Sequence, residues 1–420
     1  MRETLELLNE WWFSGDVSKV KAPPYRRKQF EDLWKEMEYR QMLILTGLRR
    51  VGKSTLMHQI IQELIRTGVS PQRILYFSFD EQTARILELL REYQKITGVA
   101  WKEEKVYIFL DEIHKLPGWS GQVKILYDAL PNAKLVLSGS ASLLLQKGAE
   151  SDLAGRYFLR EIEVLSLREF AELYLGKEID RLELWRGELE ALLPAYLRRP
   201  FPEIVRWEEE KVREYIKELV IGKCLREDLP RVFSRVRMGM LNSLVEMLMR
   251  SPGCALNLTS LSKDFGVHKL TLQEHLFYLE FAKLIRVVKN FRPSVRAESR
   301  KLKKIYPINI SLAFPFAPRL EEGPIYETAT ASALDLQHYW RRGYAEIDFV
   351  RKDAEILPIE VTSTEEIPKE KIRRLLGFMK RYDLKTGVLV YSGRERQKKE
   401  VDGKTIEIVP LLDLLFDFKI

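Results

Sequence analysis

The sequence predicts an α/β protein whose first 165 residues form a parallel sheet packed between helices. Three observations carry that reading. The apolar run Met42-Leu43-Ile44-Leu45-Thr46 has the composition of a buried parallel strand. It runs directly into Gly47-Leu48-Arg49-Arg50-Val51-Gly52-Lys53-Ser54, and then into Leu56, Ile60, Ile61, Leu64 and Ile65 at helical spacing. A second apolar run, Val106-Tyr107-Ile108-Phe109-Leu110, ends in Asp111-Glu112.

The segment from Gly47 to Ser54 is a complete G-x-x-x-x-G-K-[ST] loop in the strand-loop-helix context that the motif requires. Gly47 and Gly52 let the backbone curl, so that the N–H groups from Arg49, Arg50 and Val51 through Gly52, Lys53, Ser54 and Thr55 converge on phosphate oxygens. The Arg49 and Arg50 side chains are expected to point outward. Lys53 is expected to reach the β and γ phosphates of ATP, and the Ser54 hydroxyl to ligate Mg²⁺. Asp111 then completes the Mg²⁺ shell and Glu112 polarises the attacking water. An Asp-Glu pair at a strand end also serves as a helix cap; the upstream loop is what gives this one a catalytic meaning.

Further strands are expected at 74–79, 134–137 and 157–164, which makes five. Ser140 follows the fourth, in the turn Ser138-Gly139-Ser140, a sequence commonplace after strands. Arg156, in Leu153-Ala154-Gly155-Arg156, is the candidate for charge stabilisation in the transition state. Acting in trans it would require a neighbouring copy, and hence a homo-oligomer.

GLRRVGKSTL, FLDEIHKLPGW, LSGSAS, LAGR and LSLREF together resemble the archaeal and bacterial AAA-type ATPases that carry a C-terminal restriction-endonuclease-like domain. The resemblance covers nearly the whole chain. The loop and the Asp-Glu pair are common to many ATPases; Arg49-Arg50, Trp119 and Gly155-Arg156 narrow it. It implies an AAA+ P-loop core with a helical lid, and a sensor-like role for Ser140. Asp111-Glu112-Ile113-His114 also reads as the D-E-x-H motif of a helicase superfamily, but no second motor domain follows.

With 420 residues, 45% hydrophobic and 31% charged, the chain is globular and long enough for two to four domains. The N-terminal segment is too charged for a signal peptide and no segment approaches eighteen apolar residues, so the expectation is a cytoplasmic protein without a membrane partner. Cys224 and Cys254 are too few for a disulfide framework and have no Cys/His set beside them.

Net charge is +8, and its distribution says more than its size. Residues 239–249, 258–265 and 269–283 carry helical periodicity, and 284–288 reads as a strand. A basic stretch follows, with Lys289, Arg292, Arg296, Arg300, Lys301, Lys303 and Lys304 opposed only by Glu298. Three helices and a basic hairpin are the pattern of a winged helix, which predicts DNA as partner. Lys269 and Gln273 lie early on the third helix, where they would meet base edges, and the hairpin cations would track phosphates. A basic hairpin also serves solubility, and winged helices also serve as protein contacts.

The expected domains are 1–165 (ATPase core), 166–232 (helical lid broken at Pro194, Pro200 and Pro202), 233–308 (winged helix) and 309–420. In the last, Glu327 falls on a helix, Asp348 in Ala345-Glu346-Ile347-Asp348-Phe349-Val350, and Glu360 in Leu357-Pro358-Ile359-Glu360-Val361. These resemble a PD-(D/E)xK nuclease core, in which the carboxylates gather Mg²⁺ and a lysine positions water. Residue 362 is Thr where that lysine belongs; only Lys369 or Lys371 on the next helix stands in reach. The expectation is therefore a nuclease-like domain that does not cut. The functional expectation is a Mg²⁺-dependent ATPase acting on DNA. The alternatives are an ATP-stimulated nuclease and an origin-recognition-like ATPase, although the latter class ends after its winged helix.

Overall fold

Burial decides the strands of the N-terminal unit. In the computed structural model, which describes residues 1–80, 84–140, 149–292, 302–353 and 355–417, β1 (Met42–Thr46), β2 (Ile74–Ser78), β3 (Val106–Asp111) and β4 (Ala133–Ser138) are buried at every position, whereas β5 (Tyr157–Glu161) is half exposed. The four buried runs are largely apolar on both faces, as in parallel sheets covered by helices, with polar residues mainly at their C-terminal ends. These helices are α1 (Arg2–Leu8), α2 (Trp11–Ser14), α3 (Gln29–Glu36), α4 (Lys53–Arg66), α5 (Ile86–Thr97), α6 (Trp119–Ala129) and α7 (Ala149–Leu153).

The five strands form one sheet in the order β2-β3-β4-β1-β5, and every pairing is parallel. In sequence β2 separates the phosphate loop from the Asp-Glu strand. In space β4 does so, and β2 lies at the edge. The C-terminal ends of β1, β3 and β4 are therefore side by side, where ligands bind in open α/β sheets.

The chain divides into the units Met1–Val164 and Leu165–Ile420. The second begins with α8 (Leu167–Leu175), whose start is a capping box between Ser166 and Glu169, and α9 (Leu182–Arg198). Pro194 was expected to break the run; it lies inside α9, which continues to Arg198. There follow α10 (Glu209–Glu214), two π-helical stretches over Tyr215–Gly222 and Cys224–Asp228, and α11 (Leu229–Val232). The expected three helices form as α12 (Met238–Arg250), α13 (Leu258–Asp264) and α14 (Lys269–Phe281), with a short strand β6 (Cys254–Leu256) after the first and the hairpin β7 (Ile285–Asn290) and β8 (Lys303–Pro307) after the last.

The remaining elements are α15 (Glu322–Ala333), β9 (His338–Arg342), β10 (Ala345–Ile347), β11 (Phe349–Lys352), β12 (Ile356–Val361), α16 (Lys369–Arg381), β13 (Thr386–Tyr391), β14 (Gln397–Val401), β15 (Lys404–Pro410) and α17 (Leu411–Asp417). One sheet runs β11-β12-β13-β15-β14. The other runs β10-β9-β7-β8-β6, because β7 pairs in parallel with β9 at Lys289–His338 and Asn290–Tyr339. The hairpin after α14 thus shares a sheet with the C-terminal strands. Likewise, Leu412 and Phe416 of α17 pack in one apolar cluster with Phe170 of α8 and Leu189 of α9. Among the described residues no helix is long and apolar enough to cross a membrane.

Candidate functional site

The loop after β1 has the backbone that a phosphate cradle needs. Gly47 has φ 142° and Gly52 φ 97°, and a Cβ on Gly47 would lie 2.1 Å from the carbonyl oxygen of Ile162. Only glycine fits so close an approach. Gly52 caps α4, so the amides at the start of that helix face the loop. The Lys53 ammonium is buried and donates to the carbonyls of Gly47 (3.2 Å) and Leu48 (2.9 Å), inside the loop's own curl. Arg50, at φ 68°, is exposed, as expected of a side chain pointing outward. Arg27 ties the loop to the segment that follows β5, donating to Val51 O (3.0 Å), Glu163 O (2.8 Å) and Val164 O (3.0 Å).

Asp111 meets the loop directly. Its Oδ2 accepts from Ser54 Oγ at 2.6 Å and from Tyr76 Oη at 2.7 Å. Its Oδ1 accepts from the Glu112 amide at 3.1 Å and from Ser138 Oγ. A hydroxyl and a carboxylate oxygen in contact, at the foot of a cradle of N–H groups, fit a hard cation bound to a phosphate. Burial and the Asp111 charge push the Tyr76 phenol well up, so it stays a donor. Glu112 is held at φ 52°, in the left-handed region, with Oε2 3.4 Å from His114 Nδ1. Its amide is fixed by Ser138 Oγ (3.1 Å) as well as by Asp111.

Ser140 and Arg156 take different places. Ser140 is buried beside the Asp-Glu turn with its amide donating to His114 Nδ1 at 3.4 Å; the residue whose hydroxyl reaches the Asp111-Glu112 pair is Ser138. Arg156 does not join the site. Its carbonyl accepts from Met42 N, at the start of β1, and so it lies at the N-terminal ends of the strands while the loop follows their C-terminal ends. Its guanidinium is spent on Asp128, at 3.0 and 3.2 Å, and on Ala154 O. An Arg-Asp pair closed within the chain leaves no finger for its own nucleotide.

The C-terminal candidates do come together. Asp348 falls between β10 and β11, Glu360 on β12 and Glu327 on α15. Lys371 of α16 lies 2.6 Å from Asp348 Oδ2 and 2.8 Å from Glu360 Oε2, the ammonium that position 362 lacks. Lys369 does not reach them; it lines a separate cavity with Lys398 and Lys399. Thr362 spends its hydroxyl on Thr364, 2.9 Å away. Burial and the Asp348 charge push the Glu360 carboxyl up to about 9. Burial alone would raise Asp348 too, but Lys371 holds it below the ordinary range. Glu327, raised by burial and by Asp348, accepts from Tyr306 Oη at 2.7 Å.

Of the nucleic-acid candidates, Lys304 is a correction. It is an internal cation, 2.5 Å from Glu346 and 5.3 Å from the Tyr339 ring, its side chain 12% exposed. The register of β8 turns it toward the acids rather than toward solvent. Arg292 donates to Arg341 O. Lys269, Gln273 and Lys303 line one groove of about 570 Å³ together with Asn257, Phe277 and Leu302. Arg296, Arg300 and Lys301 lie outside the described residues. Among the described residues no group of three His, Cys, Asp or Glu side chains is spaced to hold a metal by itself.

Residues 39–171 match the family model described as AAA domain, residues 190–317 that of Domain of unknown function (DUF8612), and residues 323–414 that of Domain of unknown function (DUF4143). An uncharacterized protein of Methanocaldococcus jannaschii is 30% identical over 217 residues, 50% of this chain and 44% of that protein, so the match spans less than half of that relative. An uncharacterized protein of Haemophilus influenzae is 25% identical over 391 residues, 89% of this chain and 93% of its own. Among solved structures, the Aeropyrum pernix Orc1 protein in complex with DNA aligns at 12% identity and TM-score 0.35, covering 71% of this chain and 96% of that one. The replication initiator DnaA bound to AMPPCP and single-stranded DNA aligns at 16% identity and TM-score 0.28, covering 60% and 86%. The N-terminal unit is thus similar in sequence to an AAA-type domain and carries an all-parallel α/β sheet with a phosphate-binding loop.

Proposed function

We propose that the chain is a Mg²⁺-dependent ATPase of the AAA+ type that couples its nucleotide cycle to DNA. The observation that carries the first half is the 2.6 Å contact between Ser54 and Asp111 beneath the glycine-shaped loop. ATP would lie with its phosphates on the amides from Arg49 to Thr55, and Lys53 would leave the Gly47 and Leu48 carbonyls for the β and γ phosphates. Ser54 and Asp111 would hold Mg²⁺, which supplies charge neutralisation at the phosphates when bound. Glu112 accepts the proton of the attacking water, oriented by the bonds of its own amide to Ser138 and Asp111. Release of Arg156 from Asp128 would be needed before it could serve a neighbouring copy.

The second half rests on α14 and the hairpin that follows it, which we read as a winged helix. Lys269 and Gln273 open onto one groove with Lys303, leaving donors for base edges and phosphates. The test is ATP turnover with and without duplex DNA. Lys53→Ala is expected to abolish turnover in both conditions. The double variant Lys269→Ala/Gln273→Ala is expected to keep basal turnover and lose DNA binding. DNA binding unchanged in the double variant would remove α14 as the DNA contact.

A second reading, a nuclease, is favoured by one observation, Lys371 between Asp348 and Glu360. Against cleavage, Lys371 already engages the oxygens of Asp348 and Glu360 around which a metal would assemble. We therefore read the C-terminal segment as restriction-endonuclease-like and non-cutting. Labelled duplex incubated with Mg²⁺ or Mn²⁺ is expected to stay intact; metal-dependent cleavage that disappears in Glu360→Ala would reverse this reading.

A further inference from the structure

Asp111 Oδ2 is shared. One of its two donors, Ser54, belongs to the phosphate loop; the other, Tyr76, belongs to neither motif. Tyr76 sits on β2, the edge strand, and its hydroxyl crosses to β3 to reach the carboxylate. The ring has little freedom. It packs against His58 with centroids 4.4 Å apart and meets Trp11 edge-on at 6.5 Å. His58 belongs to the loop helix α4, one turn after Ser54, with Nδ1 2.8 Å from Ser54 O.

The backbone of Tyr76 is held from outside the sheet. Asn9 accepts from the Tyr76 amide at 2.7 Å through Oδ1 and donates to the Tyr76 carbonyl at 2.9 Å through Nδ2. One side chain thus does at this residue what a sixth strand would do. Two residues earlier, the indole N–H groups of Trp11 and Trp12 both donate to Ile74 O, at 3.2 and 2.7 Å. Asn9, Trp11 and Tyr76 are all buried. The cover of this sheet edge thus falls on the β2 residue whose hydroxyl reaches the Asp111 carboxylate. The Tyr76 hydroxyl bond stops the carboxylate from rotating about its own axis, and a ligand oriented in this way binds its cation more tightly.

We propose that Tyr76 is a positioning residue for the Mg²⁺ ligand Asp111, and that the N-terminal segment carrying Asn9 keeps it in place. The inference rests on the proposed reading of Ser54 and Asp111 as the Mg²⁺ site. It is tested in the full chain by measuring ATP turnover against free Mg²⁺ at saturating ATP, binding of a fluorescent ATP analogue in EDTA, and the thermal midpoint. Tyr76→Phe keeps the ring and removes only the hydroxyl. The half-saturating Mg²⁺ concentration is expected to rise roughly 10- to 100-fold, with turnover at saturating Mg²⁺ and nucleotide binding in EDTA close to wild type. Asn9→Ala is expected to move the Mg²⁺ requirement in the same direction through the backbone of β2, which a general loss of packing would not do selectively. An unchanged Mg²⁺ requirement in Tyr76→Phe, with wild-type protein showing clear Mg²⁺ dependence, overturns this inference alone. Wild-type protein without any Mg²⁺ dependence overturns the site reading and this inference with it.

Discussion

Glu112→Gln lowers ATP turnover by about 10²- to 10⁴-fold, the usual contribution of a positioned general base, and leaves nucleotide binding intact. The expectation follows from how the residue is held. Its backbone is in the left-handed region at φ 52°, where a bulky side chain is rarely found. Its amide donates to Asp111 Oδ1 and Ser138 Oγ, which fixes the turn from which the side chain departs. Gln has the same shape and the same backbone preference, so the network that positions residue 112 survives. What is lost is an oxygen that can take a proton. Phosphate release measured beside binding of a fluorescent ATP analogue separates the two effects. Turnover within a few-fold of wild type would mean that another group activates the water.

Lys371→Met destabilises the second unit by about 3–5 kcal/mol, the cost typical of removing one partner from a buried ion pair. Lys371 is the only described cation in contact with both Asp348 and Glu360, and Glu360 is fully buried. Met fills much the same volume, so the loss reports the charge. One ammonium cannot balance two buried carboxylates, which is why Glu360 keeps its proton while Asp348 does not. The pH dependence follows. The raised Glu360 carboxyl contributes stability that is fully present below its ordinary value of 4.5 and is lost as pH rises through about 9. Asp348 is shifted the other way, so its contribution is lost only at acid pH. Denaturation of the second unit between pH 5 and 9 should therefore show stability falling with pH, and Glu360→Gln should flatten that slope. A Lys371→Met protein as stable as wild type would mean that the acids are neutralised by some other route.

The two sites differ in how far they can be read from the chain alone. The phosphate loop and the Asp111-Glu112 pair are contiguous, and their chemistry is made by backbone amides and strand ends that local sequence specifies. The helices over 238–281 are equally legible, since a periodic apolar face needs no knowledge of its partner. Tyr76 and Ser138 carry no such mark. They are 35 and 27 residues from Asp111, and only the strand order β2-β3-β4 makes them its neighbours.

Charge is what the sequence makes least legible. Lys303 and Lys304 are neighbours in sequence, yet the first lines an open groove and the second is paired with Glu346. Side chains alternate along a strand, so register alone sorts solvent-facing from inward-facing cations. Arg156 has the type expected of a finger but lies at the N-terminal ends of the strands, bound to Asp128, away from the loop of its own chain. Thr362 leaves the lysine's place empty, and of the two lysines on the next helix it is Lys371 that reaches Asp348 and Glu360. The sequence by itself determined that a phosphate cradle exists and which strand answers it. Tertiary structure decided which charges are free to act, because a charge's chemistry depends on what surrounds it, and those surroundings come from residues distant in the chain.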